Sequence, residues 1–415
     1  MPAPTPHDER NGDPVLDAQE NLVCALQHPL VYDHPLGRIT VLETHISWVI
    51  LTGEYAYKIK KAVNFGFLDF STLEKRHFYC QEELRLNRRF AAGLYLDVVA
   101  ITGSLEQPSL NGAGDALEYA VRMRQFPQED LLSSIASHKA LTPSCVDDMI
   151  ELVAGMHFSV SHAGEDTDFG VPADIHHWVV ENFEHIRPAL TDSLHREQLD
   201  RLERWCQEEY QDRKSLFQTR KQAGFVRECH GDLHLGNLAL INGRITPFDC
   251  IEFNPRLRWI DIMSEAAFLM MDMEDRGYSG LAYRFLNGYL QRTGDYDGVR
   301  LLRYYLVYRA LVRAKVAVLR LVQADLEPAG ETDAWKEFES YMRLARQYAE
   351  NRRPAVIITH GVSGSGKSWW AAQLAERLGA IRIRSDVERK RLFGYKVDAD
   401  TRSGIQTGIY SSPAS

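Results

Sequence analysis

The 415-residue sequence has six cysteines but no C-x-x-C pair, and the cysteines are scattered along the chain. Zinc cages and disulfide frameworks depend on closely spaced or paired cysteines, so this distribution argues against both. Free thiols are typical of a reducing compartment, and we therefore expect a cytoplasmic protein. The sequence also lacks an apolar run of about 18 residues, so no membrane-spanning helix is predicted.

Positive charge is scarce relative to negative charge. Lys and Arg number 48 against 57 Asp and Glu, which gives a formal net charge of −9. A negative field repels nucleic-acid phosphates and anionic lipid headgroups, so we expect neither nucleic acid nor a membrane as the main partner. The start of the chain lacks the basic and apolar segments of a secretion signal. Because residues 1–20 are polar, acidic and contain proline, we predict a disordered tail there.

The following hundred residues have the pattern of short strands around one helix. Alternation of apolar and polar residues predicts a small antiparallel sheet. Its strands are expected within 38–63, as a hairpin, and at about 96–103 and 117–125. Helical periodicity covers 71–92, where Ser71 is the predicted N-cap and Glu74 follows three residues later, as in a capping box.

After the sheet the periodicity is mainly helical, interrupted by strand and loop that carry the segment HGDLHLGN. This segment begins with His230 and places Asp232 and Asn237 at opposite ends of one tight loop. Asp249 follows twelve residues later on a short strand. Kinase-type phosphoryl transfer needs one carboxylate to take the acceptor proton, an amide and a carboxylate to hold Mg²⁺, and a lysine to neutralise phosphates. The H-x-D-x-x-x-x-N spacing fits this set. A metal site made by His230, Asp232 and His234 is the alternative.

The segment EYAYKIKK offers Lys58, Lys60 and Lys61 as the phosphate-binding lysine. Side chains alternate between the two faces of a strand, so Lys58 and Lys60 share a face and the pattern does not separate them. The lysine's partner should be a carboxylate on the next helix, where Glu82 and Glu83 are the candidates.

HGDLHLGN followed by PFDCIEFN resembles the catalytic and metal-binding loops of aminoglycoside phosphotransferase-like kinases, which are relatives of the protein kinase fold. The resemblance implies that Asp232 is the catalytic base and that Asn237 and Asp249 are Mg²⁺ ligands. It also implies that His230 braces the loop and that Asp261 supports it from behind. A surface charge at the start of a helix is an equally good interpretation of Asp261.

The same resemblance favours Lys58 as the phosphate-binding lysine. We narrowly favour Glu83 over Glu82 as its partner, and we expect Lys60 and Lys61 to lie on a solvated charged face. The segment YAVRMRQFP resembles the strand and hinge that join the two lobes of such kinases. Backbone groups near Gln125 and Phe126 would then meet the adenine edge of ATP. The first hairpin, LETHISWV, contains no glycine, which resembles aminoglycoside kinases rather than protein kinases.

A second nucleotide-binding motif, GVSGSGKS, matches the phosphate loop G-x-x-x-x-G-K-[ST]. Its backbone N–H groups would curl around phosphate oxygens, while its lysine reaches the β/γ-phosphates and its serine coordinates Mg²⁺. The expected binding residues are Gly361, Gly364, Gly366, Lys367 and Ser368. The runs AVIITH and AIRIRSD are predicted as buried strands on either side of a helix. Asp386 ends the second run and resembles the acceptor-contacting aspartate of gluconate and polynucleotide kinase-type P-loop kinases.

Over its whole length the chain resembles bacterial proteins that join an aminoglycoside phosphotransferase-like domain to a C-terminal P-loop ATP-binding domain. The expected fold is a bilobal α+β kinase-like domain followed by a partial α/β P-loop domain that holds only the first part of such a domain. The expected segments are the tail 1–20, an N-lobe 21–127, a helical C-lobe with the catalytic loop 128–351, and the P-loop domain 354–415.

The expected function is an ATP-dependent phosphotransferase that acts on a small-molecule hydroxyl, with ATP and Mg²⁺ as cofactors. The alternatives are a nucleotide-binding regulatory protein with little turnover and a P-loop kinase with an accessory kinase-like domain. No residue points to one acceptor, because resemblance of fold does not carry the identity of the substrate.

Overall fold

We describe the protein from a computed structural model, which covers residues 14–66, 68–322, 328–350, 354–362, 364–395 and 399. Contacts divide the chain into two units. Unit 1 consists of the chain up to Ser134 together with His230–Asp232 and Gly236–Arg258, and unit 2 contains the remainder. The segments with the expected catalytic and metal-binding residues thus cluster with the N-terminal sheet.

Unit 1 is built on a six-stranded sheet whose neighbouring strands are all antiparallel. Its strands are β1 (Thr40–Glu43), β2 (Ser47–Leu51), β3 (Tyr55–Lys60), β4 (Tyr95–Gly103), β5 (Pro108–Leu110) and β6 (Glu118–Arg124). They lie in the order β1-β2-β3-β6-β4-β5. The helices of the unit are α1 (Pro14–Ala25), α2 (Leu73–Ala91) and α7 (Pro255–Arg258), and a hairpin is formed by β8 (Leu238–Ile241) and β9 (Arg244–Pro247).

Helix α1 corrects the prediction of a disordered tail for residues 14–20; residues 1–13 lie outside the described part. The helix is held by one buried polar side chain: Gln19 donates to the Lys60 carbonyl at 3.0 Å and to Glu118 Oε2 at 2.6 Å. Leu22 and Leu26 are buried in the core beneath the sheet. A polar sequence therefore orders here because its few apolar residues recur at helical spacing and its glutamine bonds to the strand backbone.

Helix α2 begins two residues later than the prediction, and its N-cap is Thr72 rather than Ser71. Thr72 Oγ1 accepts from the Lys75 N–H at 3.3 Å. The Ser71 hydroxyl instead donates to Asp69 Oδ1 at 2.6 Å, and so does the Ser71 N–H, at 3.0 Å. Both residue types are good N-caps, and the turn at Asp69 decides between them.

Unit 2 is mainly helical, with one short antiparallel pair, β7 (Val226–Glu228) and β10 (Trp259–Asp261). Its long helices are α4 (Pro143–Ser159), α5 (Pro172–Ile186), α6 (Ser193–Gln222), α8 (Ile262–Asp275), α9 (Ser279–Thr293), α10 (Val299–Val322) and α11 (Pro328–Ala349). The residues of the short α3 (Leu132–Ser137) are divided between unit 1 and unit 2. Every residue of α8 from Ile262 to Met273 is buried, as expected of a helix surrounded by others. An antiparallel sheet with a few helices, followed by a mainly helical region, confirms the predicted α+β class.

The last described segment contains α12 (Lys367–Leu378) and α13 (Ser385–Leu392). The prediction of buried strands at AVIITH and AIRIRSD is wrong: neither run forms a strand, and the exposed fractions of Val356, Ile357 and Ile358 are 87%, 61% and 84%. A parallel strand is buried only when neighbouring strands and covering helices are present. Within the described residues, no strand pairs with either run.

This segment is instead held by α9 through a side chain that imitates strand pairing. Asn287 donates to the Ala380 carbonyl at 2.9 Å and accepts from the Arg382 N–H at 2.6 Å. Arg284 adds an ion pair with Glu376 at 3.0 Å.

None of the helices in the described part of the chain has the length and apolar character needed to cross a membrane.

Candidate active site

His230 is fully buried and ties the loop HGDLHLGN to the chain that follows β9. Its Nε2 lies 2.8 Å from the Phe248 carbonyl, and its own carbonyl accepts from the Ile251 N–H at 3.1 Å. Because a carbonyl can only accept, Nε2 carries the proton. Nδ1 is then the acceptor for the Asp232 N–H, at 3.4 Å. Both ring nitrogens are engaged, which disfavours the alternative of a metal site at this histidine.

Asp232 and Asn237, the expected base and metal ligand, are in direct contact. Asn237 Nδ2 donates to the Asp232 carboxylate Oδ2 and to the Asp232 carbonyl, both at 2.9 Å. This bond fixes the orientation of the carboxylate and uses the amide nitrogen, while a metal would take the amide oxygen, Oδ1.

The turn between His230 and Asp232 requires glycine at position 231. Gly231 has φ +90°, and a Cβ there would lie 2.9 Å from the Leu257 carbonyl and 3.2 Å from Ile251 Cδ1. No other residue adopts this conformation without strain. The motif HGD therefore contains a backbone requirement as well as two functional side chains.

Asp249, the second expected metal ligand, has φ +65°, a left-handed conformation that is uncommon for residues other than glycine. Its N–H donates to the Tyr95 hydroxyl at 3.0 Å, and the next N–H, of Cys250, donates to Asn87 Oδ1 at 3.0 Å. Burial, aided by the Glu83 and Asp249 charges, raises the pKa of Tyr95 well above its usual value, so the hydroxyl stays protonated. Strain of this kind is held by surrounding contacts and is common at functional sites.

Lys58 connects Asp249 to helix α2. Its Nζ lies 2.9 Å from Glu83 Oε1 and also contacts Asp249 Oδ1. Glu83 is fully buried, whereas the Asp249 side chain is 43% exposed. Of the two candidate carboxylates, Glu83 is thus the partner; Glu82 contacts Arg258 at 2.7 Å instead. Burial acts to raise the pKa of Glu83, but the nearby lysine charges outweigh it and lower the pKa to about 2.

The expectation that Lys60 and Lys61 lie on a solvated face is wrong. Lys60 is 1% exposed; its Nζ lies 2.7 Å from Glu83 Oε2 and also contacts Glu252 Oε1. The Lys61 side chain is 12% exposed and contacts Glu43 at 2.5 Å. Glu252 was missed by sequence reasoning. Its position three residues after Asp249 was visible, but no spacing rule indicated that it faces β3.

The residues expected to face adenine lie at the end of β6. The Gln125 N–H donates to the Glu54 carbonyl at 2.9 Å, and its side-chain oxygen accepts from the Gly53 N–H at 2.8 Å. Phe126 packs edge-on against Phe248, with 5.3 Å between the ring centroids. Gln125 thus closes the turn before β3, and Phe126 supplies an apolar ring beside the segment that leads to Asp249.

Asp261 does not have the place expected of a support for the catalytic loop. Its carboxylate accepts two hydrogen bonds from Arg220, at 2.7 and 2.8 Å, and caps α8 by accepting from the Met263 N–H at 2.9 Å. Asp272 of α8 contacts the loop instead, because its Oδ2 accepts from the Leu235 N–H at 2.9 Å. Both aspartates are buried, so the surface alternative for Asp261 is also wrong.

The described residues of the phosphate-loop motif lead into α12, although the predicted strand before them is not formed. Lys367 Nζ donates to the Gly361 carbonyl at 2.7 Å and to the Val362 carbonyl at 2.5 Å. Gly364 and Gly366 both have φ +81°, and Gly366 is the N-cap of α12. The lysine side chain thus folds back onto the carbonyls of its own motif.

Two further predicted binding residues lie in the first turns of helices. Ser368 is the second residue of α12, and its carbonyl accepts from Arg382 at 3.2 Å. Asp386 is in the first turn of α13, with Lys390 at 3.7 Å, rather than at the end of a strand.

Known proteins match both the C-terminal segment with the phosphate-loop motif and the chain as a whole. A family model of an AAA domain matches residues 356–411. The uncharacterized protein Rv2004c of Mycobacterium tuberculosis (strain H37Rv) is 33% identical over 397 residues, which cover 95% of this chain and 76% of that protein. The uncharacterized protein Mb2027c of Mycobacterium bovis matches with the same values. The chain belongs to the family of these mycobacterial proteins.

Three solved structures, all at low sequence identity, are similar to this chain. A choline kinase from Cryptosporidium parvum has a TM-score of 0.47 at 10% identity and covers 80% of this chain and 96% of its own. A choline/ethanolamine kinase family protein from Mesorhizobium loti has a TM-score of 0.45 at 10% identity, with 79% and 99% covered. Aminoglycoside 2'-phosphotransferase-IIIa has a TM-score of 0.42 at 11% identity, with 78% and 98% covered.

Proposed function

We propose that the protein is a cytoplasmic, ATP- and Mg²⁺-dependent phosphotransferase whose reaction takes place in unit 1 and whose acceptor is the hydroxyl of a small molecule. The observation that carries the proposal is the position of Lys58, which contacts both Glu83 and Asp249. Buried ion pairs seldom stabilise a protein more than apolar residues of similar size would. A buried lysine that contacts a half-exposed carboxylate on a strained residue is therefore better explained by function than by stability.

The residues in this site have the roles that phosphoryl transfer requires. Lys58 binds the α/β-phosphates while Glu83 holds its ammonium in place. The Asn237 Oδ1 and a carboxylate oxygen of Asp249 are oxygen ligands of the kind that Mg²⁺ prefers. The metal ion, when bound, neutralises the charge that develops on the phosphate oxygens.

Asp232 is the base in this mechanism. Its carboxylate takes the proton of the acceptor hydroxyl while the acceptor oxygen bonds to the γ-phosphorus and the bond to the β,γ-bridging oxygen breaks, so that ADP leaves. Asn237 keeps the carboxylate oriented toward this task through the 2.9 Å bond to Oδ2. A net charge of −9 supports a small acceptor rather than nucleic acid.

The test separates unit 1 from the phosphate loop. ATP consumption by the full-length protein is screened against sugars, aminoglycosides, nucleosides and amino alcohols, and the active pair is used to compare variants. Asp232→Asn keeps the size and much of the hydrogen bonding but removes the base, so turnover should fall about 10²–10⁴-fold. Lys367→Ala should leave turnover largely intact, as should Asp212→Asn, an exposed carboxylate on α6 that serves as the matched control.

Two outcomes contradict the proposal. If Lys367→Ala abolishes the reaction and Asp232→Asn spares it, the reaction takes place at the phosphate loop, and the protein is a P-loop kinase with an accessory unit. If no acceptor supports turnover while Mg²⁺–ATP still binds, a nucleotide-binding regulatory protein is the better description.

A further inference from the structure

Two lysines of β3 share one carboxylate, and only one of them has a role in the mechanism above. Lys58 contacts Glu83 Oε1, and Lys60 contacts Glu83 Oε2, at 2.9 and 2.7 Å. Because the two lysines are two residues apart on one strand, both point toward α2. Lys60 is almost completely buried and also contacts Glu252, which is 4% exposed.

We propose that Lys60 is a positioning residue that keeps Glu83 and the metal-binding turn in place while Lys58 exchanges Asp249 for the nucleotide phosphates; this inference depends on the proposed function. The charges of these side chains explain why a second lysine is needed beside Glu83. Lys58 and Lys60 face three carboxylates, on Glu83, Asp249 and Glu252. Once Lys58 is engaged by phosphates, Glu83 would be a buried carboxylate without full compensation, which is strongly unfavourable. Lys60 provides the second positive charge that remains with it.

Lys60 also holds the far end of the turn that carries Asp249. The near end is fixed by backbone bonds, from the Asp249 N–H to Tyr95 and from the Cys250 N–H to Asn87. Three residues later, Glu252 is held through its side chain by Lys60 and through its carbonyl by Arg258 at 3.2 Å. A left-handed residue keeps its conformation only when neighbouring contacts determine it. The Lys60–Glu252 contact is one of those contacts, so it orients a metal ligand without touching the metal.

The test measures Mg²⁺–nucleotide affinity in the full-length protein, by titration with a fluorescent ATP analogue. All variants are made in a Lys367→Ala background, so that the phosphate loop does not contribute. Lys60→Met should weaken binding about 10- to 100-fold, the usual effect of removing a partner that orients a metal ligand. Lys61→Met is the matched control, since this neighbouring lysine contacts the exposed Glu43, and it should bind as the parent does.

A double variant, Lys60→Met with Glu252→Gln, distinguishes positioning from stabilisation. It removes the uncompensated carboxylate together with its lysine, so thermal stability should return toward the parent value. A positioning role leaves its affinity for Mg²⁺–nucleotide weak, whereas a purely structural role restores affinity along with stability. If Lys60→Met does not fold, this double variant decides the question alone.

The outcomes separate the inference from the proposed function. Lys58→Met is included as the reference for the site itself. If Lys58→Met and Lys60→Met both bind Mg²⁺–nucleotide as the parent does, the site assignment fails. If Lys58→Met loses binding while the folded Lys60→Met or the double variant retains it, the role of Lys60 is overturned and the proposed function stands.

Discussion

The negative charge of Glu83 should contribute to the stability of unit 1. The substitution Glu83→Gln tests this, and the expected loss of stability follows from the pKa of Glu83. The side chain is fully buried between two lysines, and its pKa is lowered from the usual 4.5 to about 2. Each unit of this shift corresponds to about 1.4 kcal/mol in favour of the charged form. The ionised carboxylate therefore stabilises unit 1 by about 3 kcal/mol, and the neutral amide should lose most of this.

The sign of the pH dependence follows from the direction of the shift. A carboxyl group whose pKa is lower in the folded state contributes its full stability above the unfolded value of 4.5 and loses it as the pH falls toward 2. The difference between the parent protein and Glu83→Gln should thus be largest near neutral pH and should shrink to less than about half at pH 3.

The measurement is hydrogen exchange of the peptide that covers β3, because it reports the local stability of unit 1 in a chain with two units. About 3 kcal/mol corresponds to a local opening constant raised roughly 100-fold. The matched control is Glu43→Gln, whose side chain is 62% exposed and contacts Lys61, so it should cost less than about 1 kcal/mol. Equal effects of the two substitutions, or an effect of Glu83→Gln that is independent of pH, would refute the reasoning.

Two further predictions concern the loops of the site. Asp249→Asn keeps a side chain that tolerates the left-handed conformation but removes a metal ligand. Mg²⁺-dependent ATP binding, measured in the Lys367→Ala background, should therefore be lost. ATP binding measured with a metal chelator should be unchanged or tighter, because Lys58 no longer pairs with the Asp249 carboxylate. Equal losses with and without Mg²⁺ would contradict the metal assignment. Gly231→Ala should destabilise unit 1 by about 1–3 kcal/mol in urea denaturation, since its Cβ would meet the Leu257 carbonyl. Gly243→Ala, also at positive φ but with no atom within 4 Å, gives the cost of backbone strain alone, and equal effects would mean that the close contact is unimportant.

The sequence predicted that Asp232 and Asn237 share one tight loop, because the two residues are close together in the chain. Asp232 and Asn237 are five residues apart, and a tight turn between them leaves their side chains few alternatives. The choice of Glu83 over Glu82 was a narrow one that no sequence pattern decided, and it agrees with the observed contact. Local periodicity was sufficient for helix α2 and for strands β4 and β6 of the first unit for the same reason, but it missed helix α1, where a disordered tail was predicted.

The environment of Lys60 could not be predicted in this way. Strand alternation correctly placed it on the same face as Lys58, but it does not tell what covers that face. The covering carboxylate, Glu252, is 192 residues further along the chain. Without this partner a charged side chain is normally assigned to solvent, which is why the prediction was wrong. The run AVIITH failed for the opposite reason, because apolar character indicates a buried strand only where neighbouring strands exist.

The exposed run Val356–Ile358 has a consequence for the behaviour of the protein in concentrated solution. Three adjacent apolar side chains with high strand propensity lie at the surface, and their backbone is not paired to a strand within the described residues. Such a segment can pair with the same segment of another molecule. The net charge of −9 opposes such encounters by repulsion, but salt screens this repulsion beyond about 10 Å at 0.1 M ionic strength. Association of the protein thus depends on the balance between strand pairing of Val356–Ile358 and electrostatic repulsion between molecules. Added salt weakens only the repulsion, so it should favour association.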